Sequence, residues 1–312
     1  MKTFDAAATA AQLPFERLIP ALSALFADPA CQVPARHVHE IAAPDGGPPL
    51  TSLLMPAWLP GRCYGVKIVN IAPGNAARGL PGLHGAYLLF DAVTGVPLAL
   101  MDGDEITSRR TAAASALAAT YLARPDARWL LVLGTGRVAS LLPAAYAAVR
   151  PIEEVRVWAR SPDKAQALAE SLRAQGFAAE AAPDLAAAVA WAHVVSCATL
   201  AREPLVQGAW LAPASHLDLI GSFTPEMREA DDDCFRNTEL FVDTEEALRK
   251  SGDLLGPLAR GVITPADLRA TLADLCRRTA PGRRTAMERT VFKSVGTALE
   301  DLAAAMLVQA GG

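Results

Sequence analysis

The chain has 312 residues, of which 52% are hydrophobic, 20% are charged and 6% are aromatic, and its formal net charge is -4. This composition excludes a mainly disordered chain, and the length predicts about two domains. The acidic balance excludes a general nucleic-acid binder, because neutralising phosphates requires a basic surface. It leaves open a local pocket of Arg and Lys for a small anion.

The cysteines, the histidines and the amino-terminal segment predict a cytoplasmic protein with reduced thiols. The five cysteines are odd in number and form no C-x-x-C pair, which argues against a disulfide framework and a zinc site. The five histidines are scattered, so no metal is predicted. The first residues lack the apolar core of a signal peptide, and no stretch has the length and apolarity of a membrane span. We therefore expect no membrane partner.

The first ~100 residues predict a helix and a mainly antiparallel sheet. Apolar residues recur at helical spacing over residues 15–26. The loop at 72–82 is rich in Gly, Pro and Asn, which favour turns. The extended segments, separated by turn residues, are 38–41, 50–55, 64–71, 85–90 and 96–101.

From residue 107 onward the pattern changes to alternating helices and strands, which is typical of a doubly wound parallel sheet. The predicted strands are residues 129–133, 155–158, 178–181, 194–197, 216–220 and 240–242. The predicted helices are residues 107–123, 137–148, 164–174, 185–191, 263–276 and 288–308, with a basic loop at 279–285. The predicted fold class is therefore α/β, a Rossmann doubly wound parallel sheet joined to a mainly antiparallel α+β domain.

A G-x-G-x-x-A pattern at residues 134–139 directly follows a predicted strand and opens a predicted helix. Glycine at the first position permits the tight turn, glycine at the second lets the backbone approach a pyrophosphate, and alanine keeps the helix close to the sheet. The motif in this context predicts dinucleotide binding. The predicted cofactor-binding residues of the loop are Gly134, Gly136, Arg137, Val138 and Ala139.

The end of the second parallel strand favours NADPH over NADH. An NAD site usually carries Asp or Glu there for the ribose 2′-hydroxyl. Here the strand ends in Ala159, Arg160 and Ser161, and the last two can donate to a 2′-phosphate. The alternative is an ordinary surface arginine in a loop.

Three basic residues in the first part of the chain are candidates for an anion site. Lys67 lies inside an apolar run, where it needs a partner or a cavity, unless it faces solvent on the other side of the strand. Arg36 and Arg110 come from separate segments and can converge with it on a carboxylate. The residues alone leave that convergence open.

Several short motifs follow one another along most of the chain from Pro34 onward. They are MPA at 55–57, GVK at 65–67, Asn75 with GLP at 79–81, TGVP at 94–97, TSRRTAA at 107–113, the glycine loop, SGDL at 251–254, and VFKSVG at 291–296 with Glu300 and Asp301. In this ordered set the chain resembles the ornithine cyclodeaminase/mu-crystallin family.

The resemblance implies a homodimer with a substrate-binding and dimerisation domain at residues 1–112 and 290–312 and a Rossmann domain at 113–289. It also implies that Arg36, Lys67 and Arg110 hold the α-carboxylate of a small imino or amino acid. Lys67 is the candidate catalytic residue, since a fixed carboxylate orients the imine for hydride transfer. The resemblance further places Thr111 and Thr199 facing the cofactor and Val295 near the nicotinamide, and it matches Arg160 and Ser161 to the NADPH-binding, mu-crystallin side of the family.

One position departs from the cyclodeaminases of this family. They carry a proposed acid/base aspartate in a G-x-D-x-P segment, but residues 221–225 read GSFTP, with Phe223 in its place. Phenylalanine cannot move the protons that ornithine cyclisation requires. We expect Phe223 to pack against a substrate ring or to lie in the core. The nearest acids, Glu226 and Glu229, are expected to face water or cap the next helix. The alternative is a rearranged loop that brings one of them inward.

These observations favour an NAD(P)H-dependent ketimine reductase that converts Δ1-pyrroline-2-carboxylate or Δ1-piperideine-2-carboxylate into L-proline or L-pipecolate. Such an imine is already an electrophile once protonated, and the cofactor supplies the hydride. The alternatives are an ornithine cyclodeaminase, an alanine-dehydrogenase-like enzyme that reduces open-chain imines, and a non-catalytic NADPH-dependent binding protein.

Overall fold

The computed structural model describes residues 1–44 and 46–312. The strands are β1 (Lys2–Phe4), β2 (His37–Ile41), β3 (Leu50–Leu59), β4 (Cys63–Ile71), β5 (Leu83–Asp91), β6 (Pro97–Asp102), β7 (Trp129–Leu133), β8 (Glu154–Trp158), β9 (Ala178–Ala181), β10 (Val194–Cys197), β11 (His216–Leu219), β12 (Glu239–Val242), β13 (Leu268–Thr271) and β14 (Thr290–Lys293). The helices are α1 (Ala6–Ala11), α2 (Phe15–Ala27), α3 (Gly103–Leu122), α4 (Arg137–Ala147), α5 (Pro162–Ala174), α6 (Leu185–Trp191), α7 (Ala247–Lys250), α8 (Gly252–Ala259), α9 (Leu272–Arg277) and α10 (Ala298–Gly311). Short 3-10 turns connect several of them.

The chain forms two compact units. The first comprises Met1–Arg110 and Thr297–Gly312, and the second comprises Thr111–Gly296. The predicted domain boundaries lie at 112/113 and 289/290. The carboxy-terminal boundary lies later because β14 is hydrogen-bonded between β11 and β12 of the second unit.

The first unit is built on a six-stranded sheet with the order β1-β6-β5-β4-β3-β2. Strands β2 to β6 are antiparallel to their neighbours, while β1 adds to the edge in parallel. Side chains alternate between the two faces of a strand, and α10 packs against strands β3 to β6. Helix α2 packs on α10 through the apolar face that its sequence predicts.

The second unit is an eight-stranded parallel sheet with the order β13-β12-β14-β11-β10-β7-β8-β9. Its central strands β10, β11 and β14 are buried along their whole length, and β7 is buried apart from Trp129, as is typical of a parallel sheet. This sheet and the antiparallel sheet of the first unit confirm the predicted fold class. In the described part of the chain, no helix is both long and apolar enough to cross a membrane.

Two predicted helices at the carboxy-terminal end are wrong in part. Residues 263–276 form a 3-10 turn, strand β13 and helix α9, since capping boxes at Thr264 and Thr271 start a new element each time. Residues 288–308 contain strand β14 before Thr297 caps α10. Four buried residues such as those of β14 are too few for periodicity to tell a strand from a helix.

Candidate functional site

Lys67 and Arg110 meet at the carboxylate of Asp301 in the first unit. The Lys67 Nζ lies 2.8 Å from each Asp301 oxygen, and the Arg110 Nε donates to Asp301 Oδ1 at 2.9 Å. The Arg110 Nη1 donates to Glu300 Oε2 at 2.6 Å. The two buried cations are therefore balanced by two buried carboxylates of α10, whose roles the sequence analysis had not assigned.

The local structure explains how this cluster forms. Lys67 is 1% exposed because it lies on the face of β4 that α10 covers, so its alternative placement facing solvent is wrong. Glu300 and Asp301 lie in the first turn of α10, where the helix dipole stabilises negative charge. The cluster thus joins the centre of the sheet to the start of the last helix.

Burial changes the proton affinity of Lys67. It lowers the pKa of Lys67 from 10.5 to about 8, while the adjacent Asp301 carboxylate opposes this effect and Arg110 adds to it. At neutral pH the side chain is an ammonium ion with fixed direction. It can release its proton under mildly alkaline conditions.

Arg36 is half-buried and directly precedes β2, two strands from Lys67. His37 pairs with Leu54, and Met55 pairs with Lys67. Extending this register by one residue puts the Arg36 backbone in line with Lys67, about 10 Å across the sheet. A long arginine side chain can cover much of that distance.

Tyr87 is a buried neighbour of this cluster that the sequence analysis missed. It is the cross-strand partner of Lys67, and it is fully buried. Its hydroxyl lies so close to Gly65 that a Cβ at that position would overlap it. The glycine of the GVK motif is therefore required by this contact. Among the described residues, the Tyr87 hydroxyl has no hydrogen-bond partner.

The glycine loop of the second unit has the geometry that phosphate binding requires. Gly134 has a φ of +109°, and a Cβ there would lie 2.5 Å from the Ala198 carbonyl oxygen. Gly136 caps α4 without a side chain and has open space around it. The first turn of α4, with Arg137 and Val138, thus begins beside a space that a pyrophosphate can occupy, and Ala139 is buried behind it.

A cavity of about 390 Å³ extends from this loop to the end of β8. Arg160 and Ser161 line it, as does Lys164 from the first turn of α5, a cation that the sequence analysis missed. Thr199 lines the cavity from the loop after β10. None of the described lining residues is Asp or Glu. A cavity with these donors fits an anionic ligand such as the phosphates of a dinucleotide.

The family comparison agrees with this geometry. Residues 50–310 match the ornithine cyclodeaminase/mu-crystallin family. This chain belongs to that family. It is 47% identical over 259 residues to a Δ1-pyrroline-2-carboxylate reductase of Paracoccus denitrificans, covering 82% of both chains.

Two solved structures are similar to this member of the family over nearly its full length. One is the Δ1-pyrroline-2-carboxylate reductase of Thermococcus litoralis in complex with NADH and L-proline, with 32% identity, a TM-score of 0.92, and coverage of 99% of this chain and 97% of that one. The other is an archaeal alanine dehydrogenase dimer with bound NAD, with 28% identity, a TM-score of 0.91, and coverage of 99% and 95%.

The segment at residues 221–225, where Phe223 stands in the G-x-D-x-P pattern, follows β11. Phe223 is 45% exposed, so its alternative placement in the core is wrong. Glu226 is exposed as expected. Glu229 is fully buried rather than facing water or capping a helix, and its carboxylate accepts hydrogen bonds from Thr199 and Gly221. The local sequence gives no signal for this burial, since Glu229 stands between Arg228 and Ala230 and three aspartates follow at 231–233.

The two remaining predicted cofactor residues belong to the second unit. Thr111 is its first residue and lies half-buried within α3. Val295 is half-buried in the loop between β14 and α10, where its N–H donates to Asp243 Oδ2 at 2.8 Å. Asp243 thereby fixes the loop that carries Val295.

Proposed function

We propose that this protein reduces a cyclic imino acid with a nicotinamide dinucleotide, converting Δ1-pyrroline-2-carboxylate or Δ1-piperideine-2-carboxylate into L-proline or L-pipecolate. The two reductases named above share 47% and 32% of their aligned residues with this chain, which supports this class of substrate. The first unit binds the substrate, and the second binds the dinucleotide.

The proposed roles of the basic residues follow from their geometry. Lys67, Arg110 and Arg36 bind the substrate carboxylate and so orient the imine. An ammonium ion has three donors, so the ion pair with Asp301 fixes the direction of Lys67 without using every donor. Asp301 and Glu300 fix the direction of Arg110 in the same way. The bound cofactor supplies the hydride, and the imine is protonated before that transfer.

The observation that carries the choice of reduction over cyclodeamination is the environment of residues 221–229. Cyclodeamination moves a proton at each stage and needs a positioned acid/base, which typically contributes ~10²–10⁴-fold. Phe223 cannot serve, and the buried Glu229 carboxylate is occupied by three donors. Reduction of a preformed cyclic imine has no such requirement.

The proposed preference for NADPH over NADH is supported by the cavity at the end of β8. Arg160, Ser161 and Lys164 line it and offer one hydroxyl and two cationic groups. A 2′-phosphate pairs well with such donors, whereas a carboxylate that would favour the ribose hydroxyl is absent from the described lining.

We also propose that the protein is a homodimer that associates through the sheet face opposite α10. The apolar side chains on this face are half-buried and form a row across four strands, namely Pro56, Val66, Leu88 and Leu100. A continuous apolar face of this kind is typical of a protein interface. Sedimentation velocity measures the oligomeric state directly.

One set of assays tests the proposed activity. Oxidation of NADPH and of NADH is followed with each cyclic imine, with pyruvate plus ammonia, and without substrate. Ammonia release from ornithine with NAD⁺ is measured on the same preparation. We expect rapid reduction of a cyclic imine, with ornithine turnover absent or lower by about 10²–10⁴-fold. Ammonia release without imine reduction would identify a cyclodeaminase, and cofactor binding without any turnover would identify a binding protein.

A further inference from the structure

The main chain at Glu229 is held on both sides. Its N–H donates to Asp253 Oδ1 at 2.8 Å, and its carbonyl oxygen accepts from Leu205 and Val206, both at 2.9 Å. The next N–H, of Ala230, also donates to Asp253 Oδ1, at 3.1 Å. The Glu229 side chain therefore projects from a fixed backbone.

The Glu229 carboxylate joins the loops that follow two neighbouring strands. Its Oε1 accepts from the Thr199 N–H at 2.7 Å and from the Thr199 hydroxyl at 2.8 Å. Its Oε2 accepts from the Gly221 N–H at 2.7 Å. A Cβ at residue 221 would overlap the Thr199 carbonyl oxygen, so only glycine permits this approach.

The loop after β10, which Glu229 holds through Thr199, also contacts the glycine loop. A Cβ at Gly134 would lie 2.5 Å from the carbonyl oxygen of Ala198 and 3.5 Å from Thr199 Cγ2. The loop after β10 is therefore packed against the loop that approaches the pyrophosphate, and Thr199 lines the cavity with Gly134. A shift of Thr199 would change the shape of this cavity.

Ionisable groups on β14, α8 and β10 act on the buried carboxylate. Lys293 on β14 attracts its negative charge, whereas Asp253 on α8 repels it, and Lys293 lies 3.5 Å from Asp253. Cys197 at the end of β10 is the third group, since a thiolate there would be repelled by the Glu229 carboxylate. Burial raises the pKa of Glu229 well above its usual value, and Lys293 and the hydrogen bonds from Thr199 oppose that rise. The ionised form accepts from all three donors, whereas a proton on Oε2 would face the Gly221 N–H.

We propose that Glu229 is a positioning residue for the dinucleotide, because its ionised carboxylate fixes Thr199 and Gly221 and thereby the wall of the cavity that faces the glycine loop. This inference rests on the proposed function, since it concerns the site at which the cofactor is proposed to bind.

The test measures dinucleotide dissociation constants by quenching of tryptophan fluorescence, which requires no turnover. In Glu229→Gln the side-chain amide has only one acceptor atom, so its NH₂ group faces a donor. We expect the affinity for NADPH to fall about tenfold or more, in line with the loss of a hydrogen bond to a charged group. The matched control is Asp218→Asn, a buried carboxylate of β11 that accepts from Tyr146 at 2.9 Å and does not line the cavity.

The control separates positioning from general loss of stability. Asp218→Asn should lower the melting temperature but change the dissociation constant less than about twofold. An equal loss of affinity in both variants overturns the proposal. In the double variant Glu229→Gln/Thr199→Val the two losses should be less than additive, because both remove the same contact.

A wild-type measurement keeps the test valid if Glu229→Gln fails to fold. From about pH 6 to about pH 9, affinity for NADH should rise as Glu229 ionises, and NADH carries no 2′-phosphate to titrate. Affinity that does not change over this range, together with an unchanged affinity in Thr199→Val, overturns the inference. If the wild-type protein binds neither dinucleotide, the proposed function fails and the inference fails with it. If it binds them and Glu229→Gln binds them equally well, only the inference fails.

Discussion

The proton on Lys67 should control the alkaline side of the activity profile. Burial lowers the pKa of this side chain from 10.5 to about 8, a difference that corresponds to about 3 kcal/mol against the ammonium form. The remaining affinity for the proton comes mainly from Asp301, at 2.8 Å. Because the ammonium ion is proposed to bind the substrate carboxylate, kcat/KM should fall about tenfold per pH unit above that pKa.

Substitution of Lys67 separates this effect from other titrations. In Lys67→Arg the guanidinium stays protonated, so the alkaline decrease that Lys67 causes should disappear. In Lys67→Met no charge remains at any pH, and we expect KM to rise about tenfold to a hundredfold, the effect of losing a hydrogen bond to a charged group. A smaller fall in kcat should accompany it, because the carboxylate orients the imine.

The assay is kcat/KM for a cyclic imine at saturating NADPH, from about pH 6 to about pH 10, for the wild type and both variants. Protonation of the imine itself affects all three proteins equally and cancels in their ratios. An alkaline decrease that is the same in Lys67→Arg as in the wild type would refute the assignment. So would a KM for Lys67→Met within twofold of the wild-type value.

Stability offers a readout that needs no substrate. The unfolded chain keeps the Lys67 proton up to about pH 10.5, whereas the folded chain releases it above about pH 8. The unfolded state therefore binds more protons in this interval, and the free energy of unfolding should rise with pH relative to Lys67→Met. Urea denaturation at several pH values measures that difference.

Two further substitutions test the cofactor cavity and the Lys67 cluster. Arg160→Ala should weaken NADPH binding about tenfold to a hundredfold and leave NADH binding within about twofold, as measured by fluorescence titration, and equal losses for both would contradict the 2′-phosphate assignment. Gly65→Ala should lower the free energy of unfolding by about 1–3 kcal/mol, because its methyl group overlaps the Tyr87 hydroxyl. Adding Tyr87→Phe should recover part of the lost free energy of unfolding, as measured by urea denaturation. No recovery would argue against the contact between residue 65 and the Tyr87 hydroxyl.

The elements that the sequence predicts well are those with a strong local pattern. The strand at 129–133 and the helix at 185–191 agree with the structure residue for residue, since long apolar or alanine-rich runs between turn residues determine them. Strands β13 and β14 were missed because each precedes a helix and was included in the helix predicted there, while their strand conformation depends on neighbours far along the chain.

The candidate site could also be predicted only in part, because some of its contacts join residues that are distant in sequence. Lys67, Arg110 and the glycine loop carry chemistry that can be read from residue type and context. Their partners cannot be read in that way, because the Lys67 and Asp301 side chains that pair are 234 residues apart. The favoured placement of Glu229 was wrong for a related reason, since local sequence suggests a surface glutamate and only the fold supplies its donors from Thr199 and Gly221.

The titrations of the buried Lys67 and Glu229 side chains both affect turnover, at opposite ends of the pH range. Lys67 in the first unit is active when protonated, so its contribution is lost as pH rises through about 8. Glu229 in the second unit is active when ionised, and burial raises its pKa, so its contribution is lost as pH falls. Substrate binding and cofactor binding thus fail at opposite ends of the pH range, which predicts a bell-shaped profile. The two sides of this pH profile come from different residues. Lys67→Arg should therefore flatten the alkaline side, and Glu229→Gln should flatten the acidic side.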